Sequence, residues 1–158
     1  MQESIFGVIS IKSFFMEIFT PTQLTDEIFA AMQRLIPQLS VSPPPTPQEL
    51  QEMIGSASTI LFLARHPEID HQIAGAAALV LFRIPTGLRA RIEDVVVDER
   101  LRRRGIGEAL TWAALEHARS AGAAWVDLTS NPARLAANRL YQRMGFEPRT
   151  TNLYRFKF

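Results

Sequence analysis

The chain has 158 residues, 47% hydrophobic and 21% charged, which suits one domain with an apolar core. Its formal net charge of +1 provides no global field toward nucleic acid or a membrane surface. The absence of cysteine excludes disulfides, thiolate zinc sites and a cysteine nucleophile, and His66, His71 and His117 lack metal-ligand spacing, so no metal is expected.

The apolar N-terminus is broken by Lys12 and Glu17. It therefore reads neither as a signal peptide nor as a membrane span, and a cytoplasmic location is expected. Residues 1–13 read as an N-terminal extension or arm, and 14–158 as the domain proper. Phe14 to Phe19 reads as the first strand. Thr20, followed three residues on by Gln23, suggests a capping box for a helix over 22–36, whose apolar face is Ile28, Phe29, Met32, Leu35 and Ile36. Pro37 to Pro47 holds five prolines and reads as an extended loop. Thr46-Pro47-Gln48-Glu49 is a second start signal, for a short helix that stops at Gly55.

Thr59 to Arg65, Ile73 to Phe82 and Leu88 to Val97 read as strands joined by turns at 66–72 and at Pro85-Thr86-Gly87, an antiparallel meander. A helix from Gly105 to Gly122 carries Ile106, Leu110, Ala113, Ala114, Ala118 and Ala121 on one face. Trp125 to Leu128 follows that crossover and should lie parallel to 88–97. Ala133 to Met144 reads as a helix ended by Gly145. Phe146 to Arg149 and Leu153 to Phe158 read as a closing hairpin whose alternating apolar strand offers an edge for a homodimer.

The stretch Arg91 to Ala109 organises the rest. A strand ending in Val95, Val96 and Val97 leads through a basic loop with Gly105 and Gly107 into a helix N-terminus. Free N–H groups and the positive end of the helix dipole make that arrangement an anion site. The glycines let a ligand approach the backbone, and Arg102, Arg103 and Arg104 add donors suited to phosphate. Ile106, Gly107 and Glu108 open the helix beside it. The bland alternatives are a tight turn and a solvated or nucleic-acid-binding arginine patch, and no aromatic or further basic run supports the latter.

Two motifs carry a resemblance. Arg102-Arg103-Arg104-Gly105-Ile106-Gly107 resembles the Arg/Gln-x-x-Gly-x-Gly/Ala loop of the GNAT superfamily of N-acetyltransferases. Tyr141-Gln142-Arg143-Met144-Gly145-Phe146 resembles the Tyr-x-x-x-Gly-Phe helix end of the same superfamily. The likeness covers about Ile73 to Phe158. It implies a single α/β (α+β) domain with a mixed, mostly antiparallel twisted sheet of about six or seven strands and about four helices. It also implies acetyl-CoA as co-substrate and direct transfer to a primary amine.

By that resemblance the loop amides hold the CoA pyrophosphate, and the backbone of Val95 to Val97 pairs with the pantetheine arm. Tyr141 then protonates the departing thiolate. Asn138 lies one turn before Tyr141 and is a pantetheine contact or a plain polar residue. Asn131 caps the following helix or reaches the CoA arm. Many family members carry Asn seven residues before the tyrosine, where this chain has Arg134. Glu93 and Asp94 point to opposite sides of a regular strand, so only one of them faces the cleft as base or amine-orienting group. The alternative is that each pairs with a neighbouring arginine or turn amide. The Ile-Glu-Asp-Val-Val-Val run also resembles that of small-amine acetyltransferases acting on glucosamine 6-phosphate. That likeness is local and does not fix the acceptor; a small-molecule amine is the leading reading. A peptide amine, at a protein N-terminus or lysine, is the second reading, and a non-catalytic CoA- or phosphate-binding module the third. No nucleic-acid or membrane partner is expected.

Overall fold

The turns and apolar runs of the middle of the chain produce one sheet. In the computed structural model, which describes residues 16–69 and 72–158, its strands are β1 (Glu17–Phe19), β2 (Thr59–Arg65), β3 (Ile73–Ile84), β4 (Gly87–Val97) and β5 (Val126–Leu128), in the order β1-β2-β3-β4-β5. The first three pairings are antiparallel, as the meander requires. Ile84 pairs with Gly87, so the β3–β4 turn is just Pro85-Thr86, and Gly87 takes φ 122°, a value few other residues adopt. Leu88 O accepts from Ala124 N at 3.1 Å and Ala90 N donates to Trp125 O at 3.2 Å. The two positions advance together, as in parallel strands.

The helices are α1 (Asp26–Leu35), α2 (Pro47–Ile54), α3 (Ile106–Ser120) and α4 (Leu135–Arg143). The first begins later than the Thr20/Gln23 signal suggests. Thr25 is the actual N-cap, accepting from Ile28 N at 3.3 Å, with Asp26 and Glu27 in the first turn favouring the dipole. The start of α2 is as read: Thr46 and Glu49 form a complete capping box.

The described chain divides into two compact units, one ending at Asp127 and the other running Leu128–Phe158. In the first, Ile28, Ala31, Met32 and Leu35 of α1 and Leu50 of α2 form one core with Leu61, Leu63, Ile73, Ala76 and Val96 of the sheet. On α3, Ile106, Leu110, Ala114 and Ala118 are buried. A Cβ at Gly75 of β3 would lie 3.0 Å from Ile106 Cγ2 and 3.1 Å from Leu110 Cδ1, so the glycine is what lets helix and strand approach.

Two expectations are corrected. The sheet has five strands among the described residues, not six or seven, and 146–158 forms no hairpin. Leu153, Tyr154, Phe156 and Phe158 are exposed there; alternation makes a strand only where one face is buried and a ladder is available. The arm at 1–13, and the start of the expected first strand at 14–15, lie outside the described residues.

Candidate active site

In the first unit the site is built on the end of β4. Ala78 pairs with Glu93 and Ala76 with Val96, so Asp94 and Val95 together stand opposite Ala77. This is a β-bulge, and Asp94 sits at its left-handed position with φ 53°, which aspartate tolerates better than most residues. The bulge corrects the expectation of simple alternation at Glu93 and Asp94, because the inserted residue resets the facing of everything after it. Glu93 is half-buried and pairs with Arg91 Nε at 2.5 Å, the neighbour two residues back on the same strand face. Asp94 is exposed, Val95 and Val97 are half-buried, and Val96 is in the core. A bulge takes backbone groups out of the ladder, and an extended amide-bearing chain can use such groups.

Beyond Val97 the chain makes a single 3-10 turn at Glu99–Leu101. Asp98 is buried, with Arg34 and Arg100 against its carboxylate at 3.2 and 2.8 Å. Those two guanidiniums, Arg100 foremost, outweigh burial and hold its pKa down at about 2. Leu101 is buried and anchors the turn. Then Arg102 is extended, Arg103 takes φ 66° and Gly105 φ 77°, a backbone that twice enters the left-handed region before α3 begins.

Gly105 is the N-cap of α3 and supplies no side-chain bond to its first turn. Nothing lies within 4 Å of where its Cβ would be. A helix 15 residues long thus begins with first-turn N–H groups that its N-cap side chain does not satisfy, at the positive end of its dipole. Arg102, Arg103, Arg104 and Glu108 are exposed, Ile106 is buried and Gly107 half-buried. Arg104 pairs with Glu68 at 3.1 Å. His117 lies edge-on to Phe62 at 5.8 Å, a packing role.

The second unit holds Asn131, Asn138 and Tyr141. Asn131 Oδ1 accepts from Ala133 N at 2.9 Å, and its backbone O accepts from Asn138 Nδ2 at 2.9 Å. It thus closes a turn two residues on. It is not the helix cap, because α4 begins later, with Arg134 at the N-cap position. Tyr141 is half-buried, edge-on to Phe146 at 5.7 Å. Burial raises its phenol pKa, with the Arg134 charge opposing. The hydroxyl thus keeps its proton at neutral pH. Gly145 ends the helix in the left-handed conformation, φ 94°.

Sequence reading passed over Asp98, Arg34 and Gln38. Arg34 and Asp98 are 64 positions apart, and no local pattern joins them. The only sequence signal is an aspartate set between an apolar strand and a basic loop.

Among the described residues, no helix is long and apolar enough to cross a membrane. Comparison with known proteins gives the family. The model of the acetyltransferase (GNAT) family matches residues 26–146. Glucosamine 6-phosphate N-acetyltransferase 1 of Oryza sativa subsp. japonica is 32% identical over 119 residues, 71% of this chain and 72% of that protein. A Trypanosoma brucei acetyltransferase structure superposes with a TM-score of 0.73 at 26% identity, covering 91% of this chain and all (100%) of that one. The glucosamine-6-phosphate N-acetyltransferase structure from Arabidopsis thaliana also gives 0.73, at 19% identity, over 90% of this chain and 98% of that one, a likeness of fold. With a bulged strand running into an open helix N-terminus, and with the family matched over most of its length, the chain belongs to the acetyltransferase (GNAT) family and is an acetyl-CoA-dependent N-acetyltransferase.

Proposed function

We propose that the acceptor is a small-molecule primary amine, with an amino-sugar phosphate the first candidate. The observation that carries this reading is the relative from Oryza sativa subsp. japonica, whose name specifies glucosamine 6-phosphate, at 32% identity. The Ile92-Glu93-Asp94-Val95-Val96-Val97 run, in which the bulge lies, supports it.

In this reading the amides of residues 103–108 and the dipole of α3 hold the pyrophosphate of acetyl-CoA. Arg102 and Arg103 add charge at the same loop. The backbone of Val95 to Val97 pairs with the pantetheine amides, aligned by the bulge. Asn131 and Asn138 contribute polar contacts to the same arm. The amine attacks the thioester carbonyl with its lone pair and loses a proton, directly or through water, to Glu93 or Asp94. As the tetrahedral intermediate collapses, the carbon–sulfur bond breaks and Tyr141 gives its proton to the sulfur. The products are the N-acetyl amine and CoA. A tyrosine whose pKa is raised by burial remains a donor at neutral pH, which suits that role.

The test is an amine panel that follows free CoA release, with glucosamine 6-phosphate, other amino sugars, polyamines and N-terminal or lysine peptides. Release with a small amine, above the rate without acceptor, is the expected result. Release with peptides alone would replace this reading by a protein acetyltransferase.

A further inference from the structure

We infer that Asp98 is a positioning residue for acetyl-CoA: it fixes the path of the chain from the end of β4 into the 102–105 loop by tying it to the C-terminal turn of α1. The inference rests on the assignment of that loop to acetyl-CoA.

The bonds converge on four consecutive residues. Asp98 N donates to Ala74 O at 2.8 Å, which extends the β3–β4 pairing by one residue, and Asp98 O accepts from Leu101 N at 2.9 Å. Its Oδ1 accepts from Arg100 N at 3.1 Å and from Arg100 Nε at 2.9 Å. Its Oδ2 accepts from Arg100 Nη2 at 2.8 Å and from Arg34 Nε at 3.2 Å. Arg34 Nη2 donates to Ile73 O at 2.6 Å, so one guanidinium bridges the start of β3 and the start of the loop. Gln38 completes the bracket: its Oε1 accepts from Glu99 N at 2.8 Å, and its Nε2 donates to Arg34 O at 3.1 Å.

Asp98 is 1% exposed, while the two arginine side chains are 34% and 56% exposed. A buried carboxylate is a costly way to gain stability, since apolar packing of similar volume does as well or better. What this arrangement provides is direction. Every acceptor position on the carboxylate is spoken for, so residues 98–101 have one path and deliver Arg103 and Gly105 into their left-handed conformations in one register. Amides that must meet a pyrophosphate within hydrogen-bond distance lose affinity when that register slips.

The test is Asp98→Asn, nearly the same shape without the charge and with an NH2 facing arginine donors. The KM and the calorimetric Kd for acetyl-CoA should rise about tenfold, short of the ~10²-fold that a 1 Å misplacement can cost, while kcat at saturation stays within about threefold and the acceptor KM is unmoved. Arg34→Gln should act in the same direction, and the double variant should add little to the larger single effect. Arg34→Gln alone decides the question if Asp98→Asn does not fold. Leu50→Ala, a core change on α2, should lower stability and leave the acetyl-CoA Kd unchanged. An equal rise in Kd for Leu50→Ala, or no rise for the folded Asp98 and Arg34 variants, overturns the inference. A wild-type protein that binds no acetyl-CoA overturns the loop assignment with it. Wild-type binding that Gly105→Val abolishes and Asp98→Asn leaves intact overturns the inference alone.

Discussion

At Gly105 the backbone holds φ 77° with open space where a side chain would stand. Gly105→Val therefore has two consequences. A β-branched residue in the left-handed region costs roughly 1–2 kcal/mol, and its methyl groups would take up open space at the N-cap of α3. Acetyl-CoA affinity should fall on the order of 10²-fold in protein that circular dichroism shows to be folded; unchanged affinity would remove the loop from the binding site. Tyr141 carries the chemical claim. Tyr141→Phe keeps the edge contact with Phe146 and deletes one hydroxyl. If that hydroxyl protonates the thiolate, kcat should drop on the order of 10²-fold with acetyl-CoA binding little changed, and less with an acyl donor whose leaving group needs no proton. Full turnover by this variant, with chemistry rate-limiting, would make Tyr141 a packing residue.

At the scale of the element, the approach of α3 to β3 is controlled by a single missing side chain. A Cβ at Gly75 would sit 2.9 Å from Val96 O and within 3.1 Å of Ile106 and Leu110 side-chain atoms. Gly75→Ala should therefore cost about 1–3 kcal/mol by overpacking, read as a lower denaturation midpoint, and should weaken acetyl-CoA binding because α3 is pushed off its register. Wild-type stability in that variant would mean the contact relaxes freely. What the sequence makes legible at this scale is local chemistry. Thr46-Pro47-Gln48-Glu49 announces α2 to the residue, and the Arg-Gly loop announces the site, since caps and left-handed glycines act within a few positions. The β4 bulge is not legible, because it depends on a register with Ala76 and Ala78 that alternation alone does not supply. The start of α1 was displaced from Thr20 to Thr25 by a competing cap with two acids behind it. The C-terminal alternation, Leu153 to Phe158, signals an amphipathic strand and is silent on whether anything covers its apolar face.

For the whole molecule, the same ion pairs of Asp98 that set the path of the loop also bear on stability. Asp98 has its pKa lowered from an ordinary 3.8 to about 2 in the fold. A group depressed in this way contributes its stability above the higher value and loses it as pH falls through the lower one. The contribution is about 2 kcal/mol at neutral pH. The difference in urea midpoint between wild type and Asp98→Asn should accordingly be full at pH 6 and shrink from pH 4 toward pH 2; a gap that persists at pH 2 would contradict the ion pairs with Arg100 and Arg34. Acetyl-CoA at about 100 times its Kd should stabilise the folded state by about 2.7 kcal/mol. The most direct measurement of the central claim is an initial-rate matrix that varies acetyl-CoA against the best small amine of the panel and follows both CoA and the N-acetyl product. Direct attack in a ternary complex predicts intersecting double-reciprocal lines, one CoA per N-acetyl amine and no burst of CoA without acceptor. Parallel lines with a stoichiometric burst of CoA in the absence of amine would show an acetyl-enzyme intermediate and contradict it.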